Sequence, residues 1–166
     1  CYATVGEGTP LVKAPNWLSH LEYDWRSPVW SHWWEQLDRD HRLIRFDQRG
    51  NGLSDWNVED MAFDARVSDL ETVVDALGLE RFGLLGISQG GAAAAEYSIR
   101  HPERVSHLII YGGFAVGSAL RGGTPEQLEE REALLTLMKL GWGRENPTYR
   151  QIFTSTFMPE ATAEDM

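Results

Sequence analysis

Cysteine occurs once in this 166-residue sequence, at Cys1. That excludes an internal disulfide framework and a cysteine-built metal site, and makes a reducing, cytoplasmic compartment the simplest expectation. Cationic charge is also short: 15 Lys and Arg stand against 25 Asp and Glu, a formal net charge of −10. The acids are scattered through the chain and not gathered in a tail, so neither nucleic acid nor a membrane surface is an expected partner. No apolar run approaches the roughly 18 residues of a membrane span. No charged-then-apolar leader opens the numbered chain, although it begins without Met and a removed leader stays open. Phosphate loops, zinc-ligand spacings and dinucleotide fingerprints are missing, so no cofactor and no metal is expected. Repeats, low-complexity tracts and heptads are missing too. With 42% hydrophobic residues the chain can nevertheless bury a core.

What is present centres on Phe82-Gly83-Leu84-Leu85-Gly86-Ile87-Ser88-Gln89-Gly90-Gly91, followed by four alanines. An apolar strand, a glycine-bracketed serine and a small-residue helix form the context in which a Gly-x-Ser-x-Gly turn becomes a nucleophile elbow. Such a turn holds the serine at strained backbone angles, and Gly86 and Gly90 are expected to spare a Cβ clash with each other. A serine hydroxyl is a poor nucleophile unless it is held beside a base and an oxyanion site. The helix N-terminus supplies free N–H groups and the positive dipole end, and the Gln89 N–H is the natural first oxyanion donor. The plain alternative is a tight strand-to-helix turn with an ordinary serine.

Around this turn the pattern alternates. Cys1–Val5 reads as a strand and half of a hairpin; Leu11–Ala14 is a second strand, closed by Pro15-Asn16. Residues 17–26 read as a loop. Ser27-Pro28 has the form of N-cap and first helical residue, ahead of a face made by Val29, Trp30, Trp33, Trp34 and Leu37. A strand at Leu43–Phe46 leaves through the turn residues Asp47–Asp55, where Asp47 and Arg49 are expected to tie down the loop. Phe63, Val67, Leu70, Val74 and Leu77 mark a long amphipathic helix stopped by Gly78. The helix after Ser88 ends at His101-Pro102, and Val105–Tyr111 is a further strand. This succession predicts a parallel α/β sheet with right-handed crossovers and a ligand site at the strands' carboxyl ends, where Ser88 lies. After Tyr111 the alternation stops. Thr124-Pro125-Glu126-Gln127 forms a capping box, Asn146-Pro147 opens a second helix, and Thr162 with Asp165 is expected to begin a third. The acidic face Glu126, Glu129, Glu130 and Glu132 is a solvated helix surface that suits the dipole, not a metal site.

With Gly86–Gly90 and Asp47-Gln48-Arg49-Gly50-Asn51-Gly52-Leu53-Ser54 in hand, the chain resembles the serine-nucleophile branch of the α/β-hydrolase superfamily. More narrowly, Pro15–Trp25 is similar to hydrolase domains found beside adenylate-cyclase or LuxR-type regulators in bacteria. The resemblance implies a three-layer α/β-hydrolase fold with a mostly parallel sheet, residues 1–115 as core and 116–166 as the beginning of a helical cap. It assigns Ser88 as nucleophile. Pro15-Asn16 stands where the family has His-Gly, which puts the Trp17 N–H in the place of the second oxyanion donor. Serine at the nucleophile position argues against the dehalogenase and epoxide-hydrolase branches, which use Asp.

The family's acid and base follow on later strands, and nothing after Tyr111 reads as those strands. The expectation is therefore a truncated fold, a fragment lacking its triad Asp and His and nearly inactive alone. None of His20, His32, His41, His101 or His107 occupies the family's base position, and Glu22 and Asp24 share a loop with His20. The expected function is hydrolysis of a carboxylic ester or related small acyl compound, with Asn16, Trp17, Trp142 and Phe153 lining the substrate. An alternative is a ligand sensor linked to a regulatory domain, in which Trp17, Trp25, Trp142 and Phe153 line an apolar pocket. A third reading is an incomplete α/β domain that associates with itself, or with its missing half, through the edge strand Val105–Tyr111.

Overall fold

Five short, largely apolar segments build one sheet. The computed structural model describes residues 1–117 and 120–160 and divides into two compact units, Cys1–Ala115 and Val116–Met166. In chain order the first holds β1 (Tyr2–Val5), β2 (Thr9–Ala14), α1 (Leu21–Arg26), α2 (Ser31–Leu37), β3 (His41–Phe46), α3 (Phe63–Ala76), β4 (Phe82–Ile87), α4 (Gly90–Arg100) and β5 (Val105–Tyr111). The strands lie in the order β1-β3-β2-β4-β5. β1 runs antiparallel to β3, and the other neighbours are parallel.

Register puts Val12 beside Ile44 and Leu84, and Leu11 beside Leu43. Because successive side chains point to opposite faces, these rows feed two separate cores. Val12, Ile44, Phe46, Phe82 and Leu84 pack with Val67, Leu70 and Val74 of α3 and with Ala93, Ala94 and Tyr97 of α4. Leu11, Leu43, Leu85 and Ile87 pack with Trp34, Trp30, Trp33 and Leu37 of α2 and with Trp25 of α1. Helix, sheet and helix make three layers. Trp25 is half-buried against this second core and also borders a recess of about 390 Å³ with Val5, Leu21 and Arg45. At the sheet's end among the described residues, β5 leaves Leu108, Ile109, Ile110 and Tyr111 exposed.

The second unit contains α5 (Pro125–Gly141) and α6 (Pro147–Phe157). Thr124 accepts from the Gln127 N–H while the Gln127 side chain accepts from the Thr124 N–H. Asn146 caps α6 through the Tyr149 N–H at 3.2 Å. Each helix also closes at its far end, through Trp142 N–H to the Met138 carbonyl and Met158 N–H to the Thr154 carbonyl.

Several expectations are corrected here. The predicted truncation, with only the start of a cap, is overturned by a formed three-layer core and two full cap helices, both capped at each end. The reading of the chain as a fragment lacking its triad residues rested on that truncation and falls with it. The third helix start at Thr162 and Asp165 lies outside the described residues. The segment read as a loop holds α1, whose N-cap is His20: its Nδ1 accepts from the Tyr23 N–H at 3.3 Å. Helix α2 begins at Ser31, not at Pro28, because Ser27 spends its hydroxyl on the Val29 N–H and its carbonyl on the Trp30 and Ser31 N–H groups in a preceding turn. β1 finds its partner in β3 and not in the adjacent β2.

Asp47, just after β3, is the hinge pin of the nearby loops. Its Oδ2 accepts from the Leu21 N–H at 3.1 Å and the Leu53 N–H at 2.9 Å, and its carbonyl accepts from the Ser54 hydroxyl at 2.6 Å. Gly52, at φ +51°, crosses so close that a Cβ would lie 2.1 Å from Oδ2. Asp47→Ala should leave two amides without their acceptor and lower the unfolding free energy by about 2–6 kcal/mol, at 1–3 for each orphaned group. Urea denaturation checks this; a change below ~1 kcal/mol would mean that water replaces the carboxylate.

Candidate active site

β4 delivers Ser88 to the carboxyl end of the sheet, and the turn there is strained as the pattern predicts. Ser88 has φ 51°, and with Leu18 it is one of two non-glycine residues at positive φ among those described. An L-residue in this region costs about 1–2 kcal/mol. The strain is held by three attachments. The Ser88 N–H donates to the Tyr111 carbonyl at the end of β5 at 2.9 Å, its carbonyl accepts from the Gly91 N–H at 3.0 Å, and α4 begins two residues on. Ser88 remains partly exposed.

The bracketing glycines are both required: Gly86 is crowded by Gly90 and Gly91 as the spacing suggested, and Gly90 by a different neighbour. A Cβ on Gly86 would meet the Gly91 Cα at 2.6 Å and the Gly90 oxygen at 2.8 Å. On Gly90 it would meet the Pro15 and Ala14 oxygens at 2.7 and 2.8 Å. Gly90 therefore lets the first turn of α4 press against the end of β2. That contact brings the Pro15-Asn16-Trp17 segment alongside the elbow.

Gln89 is the N-cap of α4, and among the described residues its backbone N–H has no hydrogen-bond partner. Its side-chain Oε1 is buried, again without a partner among those residues. On the opposing loop the Lys13 Nζ donates to the Asn16 Oδ1, and the Asn16 Nδ2 donates to the Trp17 carbonyl at 3.1 Å. Leu18 follows at φ 62°.

Below this loop lies a cluster that the sequence reading missed. β2 and β3 set Lys13 beside Arg45 in register, and only 2% of Lys13 and 5% of Arg45 is exposed. The two cations sit on the face of α1 and α2. The Lys13 ammonium lies 5.7 Å from the Trp34 ring centroid, and the Arg45 guanidinium lies 5.0 Å from both Trp25 and Trp34. The Arg45 Nη2 also donates to the Leu21 carbonyl at 3.2 Å. Asp24 and Asp47 supply the opposing charge. Burial pushes Lys13 down from 10.5 to about 8 against the pull of Asp24, and burial raises Asp24 despite Lys13. A cation in the otherwise apolar Leu11–Ala14 was the available signal.

The shift of Lys13 has a definite sign. Between about pH 8 and 10.5 the unfolded chain keeps a proton that the folded chain has released. Stability contributed at this residue therefore rises with pH across that window, and the charged form burdens the fold below it. Wild type should gain stability relative to Lys13→Met as pH is raised from 7.5 to 9.5, as read by thermal melts; a constant gap would contradict this.

The histidines serve elsewhere. His20 caps α1 and stacks on Tyr23 at 4.1 Å, His41 faces the Leu37 carbonyl at 3.2 Å, and His101 ends α4 against Glu71 at 2.7 Å. His32 lies exposed on α2, and His107 exposed on β5. Among the described residues none is hydrogen-bonded to Ser88, no group of three or more His, Cys, Asp or Glu is placed to hold a metal, and no helix is long and apolar enough to cross a membrane. Arg49, expected to tie its turn, does so by pairing with Asp69 at 2.7 Å. Trp142 and Phe153 belong to the second unit, where their rings meet edge-on at 5.6 Å beside a recess of about 270 Å³ that also includes Tyr149 and Arg150.

Known proteins are similar to this chain. The alpha/beta hydrolase fold family matches residues 20–154. The AB hydrolase superfamily protein YisY of Bacillus subtilis is 31% identical over 130 residues, covering 77% of this chain and 46% of YisY. Epoxide hydrolase 4 of Mus musculus is 29% identical over 112 residues, covering 66% of this chain and 30% of its own. The chain thus spans less than half the length of these curated relatives. Among solved structures, a marine microorganism esterase superposes with a TM-score of 0.68 at 21% identity, over 95% of this chain and 57% of its own. An esterase from Exiguobacterium antarcticum superposes at 0.63 and 24% identity, over 99% and 65%. At these identities the structures speak for the fold alone.

Proposed function

The chain belongs to the α/β hydrolase fold family, and from that premise we propose that it serves hydrolysis of a carboxylic ester or related small acyl compound with Ser88 as nucleophile. One observation carries the reading: Ser88 is held at φ 51° between a buried strand and the N-terminus of α4. Stored strain of this kind at a partly exposed serine is characteristic of a functional position. Ser88 Oγ attacks the acyl carbonyl, its proton passing to a general base and from there to the departing alcohol. Water then releases the acid from the acyl-serine.

The Gln89 N–H is one donor to the developing oxyanion, since it is uncommitted and stands at the positive end of α4. The Trp17 N–H is the second, on the loop that Gly90 allows to approach. Asn16 and Trp17 border the acyl group. Epoxide hydrolase 4 shows that relatives carry a different chemistry in name. A serine hydroxyl, where that branch uses a carboxylate, favours acyl transfer here.

A panel of p-nitrophenyl esters of increasing acyl length tests the proposal. Turnover with a preference for short chains, lost in Ser88→Ala, is expected. Turnover that persists in Ser88→Ala, or its absence across the panel in folded protein, would overturn it.

A further inference from the structure

We propose that Lys13 is a positioning residue of the oxyanion loop, holding Asn16 from beneath and, through Asn16, the Trp17 backbone. The inference rests on the serine-hydrolase reading and deepens it. Lys13 is almost wholly buried in the central strand β2, where a lysine has no reason to be on grounds of packing alone. Its ammonium donates to the Asn16 Oδ1, and the Asn16 Nδ2 passes the constraint on to the Trp17 carbonyl. Asp24 of α1, Asp47 after β3 and the adjacent Arg45 are the charged groups facing it, with the Trp34 ring alongside.

The loop has a reason to need such a tie. Pro15 has no N–H to donate, and Leu18 sits at positive φ without the freedom of glycine. The segment between them must still present a donor toward the elbow across the contact that Gly90 permits. A charge-assisted bond to a rigid strand fixes the loop from below. The desolvation that lowers Lys13 shows that the fold tolerates an unfavourable burial at this point. A residue kept for stability alone would be apolar.

The rate at which a fluorophosphonate labels Ser88 reads the loop directly, because the phosphonyl oxygen enters the oxyanion site. Lys13→Met and Asn16→Ala should each slow labelling about tenfold to a hundredfold, the range set by a misplaced or lost donor. The double variant should be no slower than the worse single, since both remove one connection. Melting temperature in Lys13→Met should stay at or above wild type at pH 7, which a merely structural role would not give. Labelling of Lys13→Met at the wild-type rate, or losses that multiply in the double variant, would overturn the proposal while leaving the nucleophile assignment intact. Absence of labelling at Ser88 in wild type would remove both. Should Lys13→Met fail to fold, Asn16→Ala decides alone: it acts from the partly exposed side, and a wild-type rate there refutes the role.

Discussion

Ser88→Ala should abolish ester turnover, with a loss on the order of 10⁶-fold if the serine acts as part of a nucleophile–base unit, while the protein stays folded. The folded state should respond in its own way to substitution here, because Ser88 sits at φ 51°. Ser88→Gly removes the hydroxyl and relieves the backbone, and should raise the unfolding free energy by about 1 kcal/mol even as activity vanishes. An ordinary turn serine makes no such pair of predictions: its replacement would change neither rate nor stability by much. Steady-state kinetics with urea titrations on the two variants separate these cases. Equal stability of the Ala and Gly variants would show that the angle is unstrained.

The second large effect is at Gly90. A Cβ there would fall 2.7 Å from the Pro15 oxygen and 2.8 Å from the Ala14 oxygen, both backbone atoms at the end of a central strand. Neither can rotate away, so Gly90→Val must push α4 off β2 or shift the strand. A cost of about 3 kcal/mol or more in stability is expected, at the upper end for overpacked sites. Displacing the helix also moves the Gln89 N–H away from the opposing loop, so residual folded protein should label slowly at Ser88. Gly78 provides a comparison, since nothing lies within 4 Å of a Cβ built there. Its positive φ of 61° makes Gly78→Ala costly by about 1 kcal/mol through the backbone alone. Similar losses at the two glycines would contradict the close-contact account.

Local chemistry was legible in the sequence where the determinants are local. The elbow, the helix Phe63–Ala76 and the capping box at Thr124 follow from glycine spacing, three-and-four periodicity and one polar quartet. What eluded it depends on register and on distant partners. That β1 would pair with β3 cannot be read from either strand. Lys13 stands out in its apolar strand, but only the parallel pairing of β2 with β3 sets it beside Arg45 under Trp34. The crowding of Gly86 by Gly90 follows from their spacing, but what a Cβ on Gly90 would meet is the end of β2, more than 70 positions away in the chain. Helix α1 was hidden by its shortness and by a histidine cap, an uncommon choice beside Ser, Thr, Asp or Asn. Truncation was inferred from a break in strand alternation after Tyr111, yet the helices that follow are formed and capped.

The central claim is that this turn activates Ser88. Its most direct test is mass mapping of the adduct after brief exposure of the folded protein to a fluorophosphonate, with Ser88→Ala in parallel. A single phosphonyl group on the peptide carrying Ser88, missing from the variant, is the result this account predicts. A folded wild type that stays unlabelled, or that labels at another residue equally in both proteins, would contradict it.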